Sequence, residues 1–171
     1  IILVYNKKDT KRVKSLKLKN IKLVLGGKNR QQSTFNALKH LNNTKTISKV
    51  LIHDVARPNF SLKLFASIIR NMKNARAVVP KLDIQDAVKQ KIDSSISEYI
   101  LGKNRDNLFL TQTPQAFNLK EIYHLHKINS GKYKDDDISL YMNLNKVKFI
   151  EGEKNNFKIT DLADFQNLKT I

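Results

Sequence analysis

With 171 residues, no cysteine and a formal net charge of +17, the chain is long enough for one domain with a real core. It has neither a disulfide framework nor a thiolate metal site. No apolar run reaches membrane-spanning length and no signal-peptide pattern opens the chain, so a cytoplasmic protein without a membrane partner is expected.

The first strand is expected over residues 1–6, so the chain opens in mid-fold, as a fragment would. Residues 7–20 are polar and basic, with Val13, Leu16 and Leu18 marking a short surface helix. Residues 1–50 hold 13 Lys or Arg against the single acid Asp9. This charge suits an anionic partner such as nucleic acid, nucleotide or a membrane surface. The basic residues are scattered and lack interleaved aromatics, which disfavours a nucleic-acid-binding module without removing it as an alternative.

Ile21 to Leu25 reads as a second strand, closed by Gly26 and Gly27. The run from Arg30 to Leu41 places Phe35, Leu38 and Leu41 at helical spacing. A strand, two glycines and a helix start suit a phosphate or a base, because glycine lets backbone approach a ligand and the helix start offers free N–H groups. A Gly-Gly pair by itself is more often just a turn, and Ser33 by itself reads as a cap-region hydroxyl.

Val50-Leu51-Ile52-His53-Asp54-Val55-Ala56-Arg57-Pro58 is the stretch around which the chain is organised. It begins as a strand expected to be buried on both faces, and Pro58 turns it out of the sheet. Ligands of open α/β sheets gather at the carboxyl ends of the strands. Asp54 and Arg57, three residues apart there, could hold a metal and an anionic oxygen together. An ordinary ion pair on a turn is the alternative.

Ser61 is placed to cap a helix carrying Leu62, Leu64, Phe65, Ile68, Ile69 and Met72. Ala75 to Pro80 is the next buried strand. Residues 83–105 are polar and poorly periodic, and a β-hairpin arm packing on another subunit would fit them. Leu108 to Pro114 returns as a core strand, followed by a helix over Leu119 to Ile128. Asp135, Asp136 and Asp137 precede a helical run, Ile138 to Leu144; acids at a helix start favour the dipole and need no metal. A strand over Lys146 to Ile150 and a closing helix with Leu162, Phe165 and Leu168 complete the chain. The alternation predicts a three-layer α/β fold with a mainly parallel sheet, in a single domain over residues 1–171.

Four segments, in order, resemble one family: residues 26–33 (Gly-Gly-Lys-Asn-Arg-Gln-Gln-Ser), 53–58 (His-Asp-Val-Ala-Arg-Pro), 111–117 (Thr-Gln-Thr-Pro-Gln-Ala-Phe) and 156–160 (Asn-Phe-Lys-Ile-Thr). They are similar to 2-C-methyl-D-erythritol 4-phosphate cytidylyltransferases, especially the form fused to a cyclodiphosphate synthase. The resemblance spans the chain and implies a Rossmann-like nucleotidyltransferase fold. It implies transfer of CMP from CTP to a sugar-alcohol phosphate in non-mevalonate isoprenoid biosynthesis, with Mg²⁺ or another divalent cation as cofactor. Ribitol-5-phosphate cytidylyltransferases share two of the segments and stand as the alternative, as does a degenerate homologue with a structural role.

Carried over by motif, Asp54 would hold the metal, and Arg57 and Lys158 the substrate phosphates. Gly26, Gly27, Lys28 and Ser33 would lie along the cytidine, and Val55 would line the nucleotide where the family usually has Ala. Residues 83–105 would form a homodimer arm, with Arg105 crossing to the neighbouring site. Ala87 stands where the family tends to have a substrate-facing Thr. The family's glycine-rich nucleotide loop, with its Arg and Lys, has no counterpart in residues 1–171 and is expected to precede Ile1. These residues alone are therefore expected to be inactive.

Overall fold

A computed structural model describes residues 1–44, 46–91, 99–100, 104–130, 134–141, 145–166 and 168. In chain order the elements are β1 (Ile2–Tyr5), α1 (Thr10–Ser15), β2 (Lys22–Leu25), α2 (Arg30–Asn42), β3 (Lys49–Ile52) and α3 (Leu62–Asn71). β4 (Ala77–Asp83), β5 (Gln90–Lys91), β6 (Tyr99–Ile100), β7 (Phe109–Thr111) and β8 (Gln115–Asn118) follow, then α4 (Leu119–Ile128), β9 (Val147–Glu151) and α5 (Leu162–Gln166). The described residues group into two compact units: Ile1–Ile52 with Ala116–Lys146, and His53–Gln115 with Val147–Ile171.

In the first unit, β1 and β2 pair in parallel, Ile2 opposite Lys22 through Tyr5 opposite Leu25, and β3 lies beside β8. Helices α2 and α4 carry the core. Leu38 from α2 and Leu119 and Ile122 from α4 are buried, as is Phe117 of β8. Burying each such side chain contributes roughly 1.5–3 kcal/mol. The Phe35 ring sits 5.5 Å from Tyr123 and stacks on His126. Asn29 caps α2 by accepting from the Gln32 N–H at 2.8 Å.

In the second unit, β4 pairs in parallel with β9 along Ala77 to Lys81 and antiparallel with β7 along Lys81 to Asp83. Leu64 and Ile68 on α3 and Met72 just past its end, spaced four apart, are buried, and so are Ala77, Val78 and Val79. Ser61 caps α3 through the Leu64 N–H at 3.0 Å, as expected, and its hydroxyl is held in turn by Glu153.

Three expectations are corrected. The strand ending at Ile52 is not buried on both faces: β3 stands at the end of its strand order, beside β8, and keeps partial exposure, whereas β4 is buried as expected. The core strand expected over Leu108 to Pro114 is the short β7, which stops at Thr111 and leaves Phe109 and Leu110 exposed. A separate strand that the sequence did not reveal, β8, begins just after Pro114 with Gln115, Ala116 and Phe117 all buried. The expected helix after Asp137 is a single 3₁₀ turn, Ile138–Leu140, in which the Tyr141 N–H already bonds to Ile138 O. Residues 142–144 of that expectation lie outside the described residues. Within 83–105, β5 and β6 pair antiparallel, Gln90 opposite Ile100 and Lys91 opposite Tyr99.

Candidate active site

The segment leaving β3 forms a tight turn, with the Arg57 N–H bonded to Asp54 O at 2.9 Å. Its side chains converge with a loop a hundred residues further on. Asp54 Oδ2 lies 3.4 Å from Lys158 Nζ and 4.0 Å from Arg57 Nε. The backbone registers the two segments, since the Ile159 N–H donates to Ala56 O at 2.8 Å. Arg57 Nη1 donates to Asn156 O at 2.8 Å, whereas its buried Nε has no hydrogen-bond partner among the described residues. Burial lowers the Arg57 pKa and Asp54 opposes that shift; a guanidinium stays charged at any working pH. A buried N–H without an acceptor costs free energy unless an oxygen arrives to meet it.

His53 braces this turn from behind. Nε2 lies 2.9 Å from Arg57 O, a pure acceptor, so Nε2 carries the proton. Nδ1 then accepts from the Thr113 hydroxyl at 3.1 Å, and Thr113 Oγ1 accepts from the Asp54 N–H at 3.0 Å. The Phe60 ring meets the imidazole edge-on at 4.6 Å.

Burial lowers the His53 pKa, more than the Arg57 carbonyl and Asp54 raise it, and the Arg57 charge adds to the lowering. A histidine whose folded pKa lies below its unfolded value binds protons more readily when unfolded. Its stabilisation is complete above the unfolded pKa of about 6.5 and is lost as pH falls through the lower folded pKa. Thermal melts are therefore expected to fall as pH drops below about 6.5, with a shallower fall in His53→Gln. Identical pH profiles for the two proteins would refute this role.

In the other unit, Gly26 and Gly27 close β2 against α2. A Cβ on Gly27 would collide with the Gln32 side chain, so the close approach requires glycine there. The Ser33 hydroxyl accepts from the Gly27 N–H at 3.0 Å and donates to Asn29 O at 2.8 Å. Its donor thus ties the loop together, while Asn29 is the cap. Lys28 is exposed and lines a cavity of about 330 Å³ with Gln31, Gln32, Phe35, Lys39 and His126.

Val55 is 74% exposed and Ala87 is exposed. Arg105 is exposed and donates to Gln85 O at 2.5 Å. The acid run divides by role. Asp137 is buried between Arg30 Nη2 at 2.8 Å and His126 Nε2 at 2.9 Å. Asp136 accepts from the Ser139 N–H at 3.1 Å. The sequence reading missed Gln112 and Asn156, both buried and hydrogen-bonded beneath the Asp54 turn. Their signal was their place inside two of the four quoted segments.

No cluster of three or more His, Cys, Asp or Glu able to hold a metal occurs among the described residues. A divalent cation at Asp54 would take its other ligands from phosphate oxygens and water, the usual manner of Mg²⁺.

The family model described as IspD, 2-C-methyl-D-erythritol 4-phosphate cytidylyltransferase, matches residues 1–171. The chain belongs to this family. The bifunctional enzyme IspD/IspF of Pelagibacter ubique is 43% identical over 98% of this chain and 44% of its own length. The 2-C-methyl-D-erythritol 4-phosphate cytidylyltransferase of Clostridioides difficile is 34% identical over 90% of this chain and 64% of its own.

Among solved structures, the 4-diphosphocytidyl-2C-methyl-D-erythritol synthase of Anaerococcus prevotii superposes with a TM-score of 0.81 at 36% identity, covering 97% of this chain and 75% of that one. The bifunctional IspDF of Campylobacter jejuni gives 0.78 at 26%, covering 98% and 41%. These likenesses bear out the expected α/β nucleotidyltransferase fold. The chain spans under half the length of the bifunctional cytidylyltransferase relatives and under two thirds of the Clostridioides enzyme.

Proposed function

We propose that the protein transfers the cytidylyl group of CTP to 2-C-methyl-D-erythritol 4-phosphate, releasing pyrophosphate. The observation that carries this reading, beside family membership, is the Asp54 carboxylate lying between Lys158 and Arg57, with a buried guanidinium N–H awaiting an acceptor. Two cations and one carboxylate at one point suit a phosphate and its counter-ion. In this reading Arg57 and Lys158 hold the acceptor phosphate so that one of its oxygens faces the α-phosphorus of CTP. The new P–O bond forms as the bond to pyrophosphate breaks.

Lys158, on a flexible stem and 46% exposed, can move from Asp54 to an incoming phosphate. Arg57, pinned by Asn156 O, cannot move as far; it orients. Asp54 would hold Mg²⁺, which supplies charge neutralisation for the polyphosphate. Residues 26–33 would lie along the cytidine, and the reaction would be cytoplasmic. The test is pyrophosphate release from CTP and Mg²⁺ by the full-length protein, with methylerythritol phosphate and ribitol 5-phosphate in competition. Preference for ribitol phosphate, or release with neither, would overturn the assignment.

The β5–β6 pair is the dimer arm in the same reading, with Arg105 serving the partner's site. A full-length variant in which residues 84–104 are replaced by a tight turn is expected to sediment as a monomer at micromolar concentration, where the parent sediments as a dimer. A monomeric parent would sink the idea.

A further inference from the structure

We infer that Gln112 is the positioning residue of this site, setting the Arg57 guanidinium and the Lys158 loop in one arrangement. The inference rests on the cytidylyltransferase reading above. Gln112 is 3% exposed, and its N–H is bonded to Pro80 O at 2.9 Å, fixing it beside β4. Its side-chain amide faces the backbone of residues 153–156. Nε2 donates to Glu153 O at 2.8 Å and to Asn156 O at 3.1 Å, and Oε1 accepts from the Glu153 N–H at 3.0 Å. A longer approach of 3.5 Å joins Oε1 to Asn156 Nδ2. Two carbonyls on one side and an N–H on the other allow only one orientation of the amide.

The carbonyl that Gln112 holds is the one that receives Arg57 Nη1. Asn156 in turn donates to Thr113 O at 2.9 Å, and the Thr113 hydroxyl receives the Asp54 N–H. Neighbouring residues 112 and 113 therefore brace both sides of the site: the turn bearing Asp54 and Arg57, and the loop bearing Lys158. Close packing enforces the contact. A Cβ on Gly152 would stand 2.5 Å from Gln112 Oε1 and 2.9 Å from Lys81 O.

If Asn156 O drifts, the guanidinium it orients drifts with it, and misplacement by about 1 Å can cost about 100-fold in rate. Gln112 touches no reacting atom in this arrangement; it acts through Arg57 and Lys158.

The experiment uses the full-length protein with Gln112→Leu, which removes all four contacts at similar volume. Gln112→Glu, which replaces the donor by an oxygen facing two carbonyls, is measured beside it and stands in for the Leu variant if that does not fold. The expected result is a fall of about 10-fold or more in kcat/KM for the polyol phosphate, with the KM for CTP unchanged. In an Arg57→Ala background the same substitution should cost about threefold or less, because the group it positions is gone. Equal losses in both backgrounds would assign Gln112 a general structural role and overturn the inference.

A second readout is independent of turnover. The Arg57 Nε–H resonance should shift and exchange faster with solvent in Gln112→Leu, and an unchanged resonance would also overturn the inference. If wild-type protein releases no pyrophosphate while that resonance still answers to Gln112, the reaction assigned to the site fails and the positioning of Arg57 stands.

Discussion

Replacing Asp54 by Asn in the full-length protein is expected to cut cytidylyl transfer by about 100- to 1000-fold, the usual cost of one charge-stabilising group in such a site. The fold should survive. The Asp54 backbone is held on both sides, its N–H by Thr113 and its carbonyl by Arg57 N–H, and neither bond uses the carboxylate. The Asn side chain keeps the shape and loses the charge that Lys158 and Arg57 flank at 3.4 and 4.0 Å. The Mg²⁺ concentration for half-maximal rate should rise as well, since a hard cation prefers an anionic oxygen. The checks are pyrophosphate release across a Mg²⁺ series and a melt of each protein. Unchanged turnover would leave Asp54 as ordinary strand-end structure.

That prediction depends on residues a hundred positions apart, and the sequence reached them unevenly. Periodicity found α4 at its observed ends, Leu119 and Ile128, from the spacing of Ile122, Leu125 and Ile128, although of these Ile122 alone is fully buried and Ile128 is exposed. It found the cap of α3 because Ser61 precedes an amphipathic run. It could not bring Lys158 to Asp54; only the resemblance of ordered segments did so, since spacing along the chain carries no information about which loops meet.

The misses share a cause. β8 is short and opens with Gln115, a polar residue directly after a proline, yet Gln115 is fully buried. A buried amide is tolerated where hydrogen bonds compensate it, and hydropathy cannot see those partners. Gln112 and Asn156 escaped for the same reason. β3 and β4 read alike as apolar runs, and their burial differs through the strands beside them. The expected helix at Ile138 shrank to one turn, with Asp136 holding the Ser139 N–H and hydroxyl and Asp137 drawn inward.

Asp137 is where three adjacent identical residues part company, and its removal should be the most damaging change of the three. Its carboxylate is 1% exposed and receives Arg30 on one oxygen and His126 on the other. Asp137→Ala strips both donors of this acceptor at once. Breaking a buried ion pair from one side costs on the order of 3–5 kcal/mol. Arg30 is 29% exposed, so water can reach its guanidinium, and the lower end of that range is expected.

Asp136→Ala removes exposed bonds to the Ser139 N–H and hydroxyl and should cost about 1 kcal/mol, as a lost cap does. Asp135 is exposed, and its replacement should cost least. The measurement is the urea midpoint of the three alanine variants at one pH. Arg30 also belongs to the 26–33 segment proposed to lie along the cytidine, so Asp137→Ala should raise the KM for CTP where folded protein remains. Equal midpoint shifts for Asp135, Asp136 and Asp137 would mean that the buried pair adds nothing. The acid run would then act only through its charge near the helical turn.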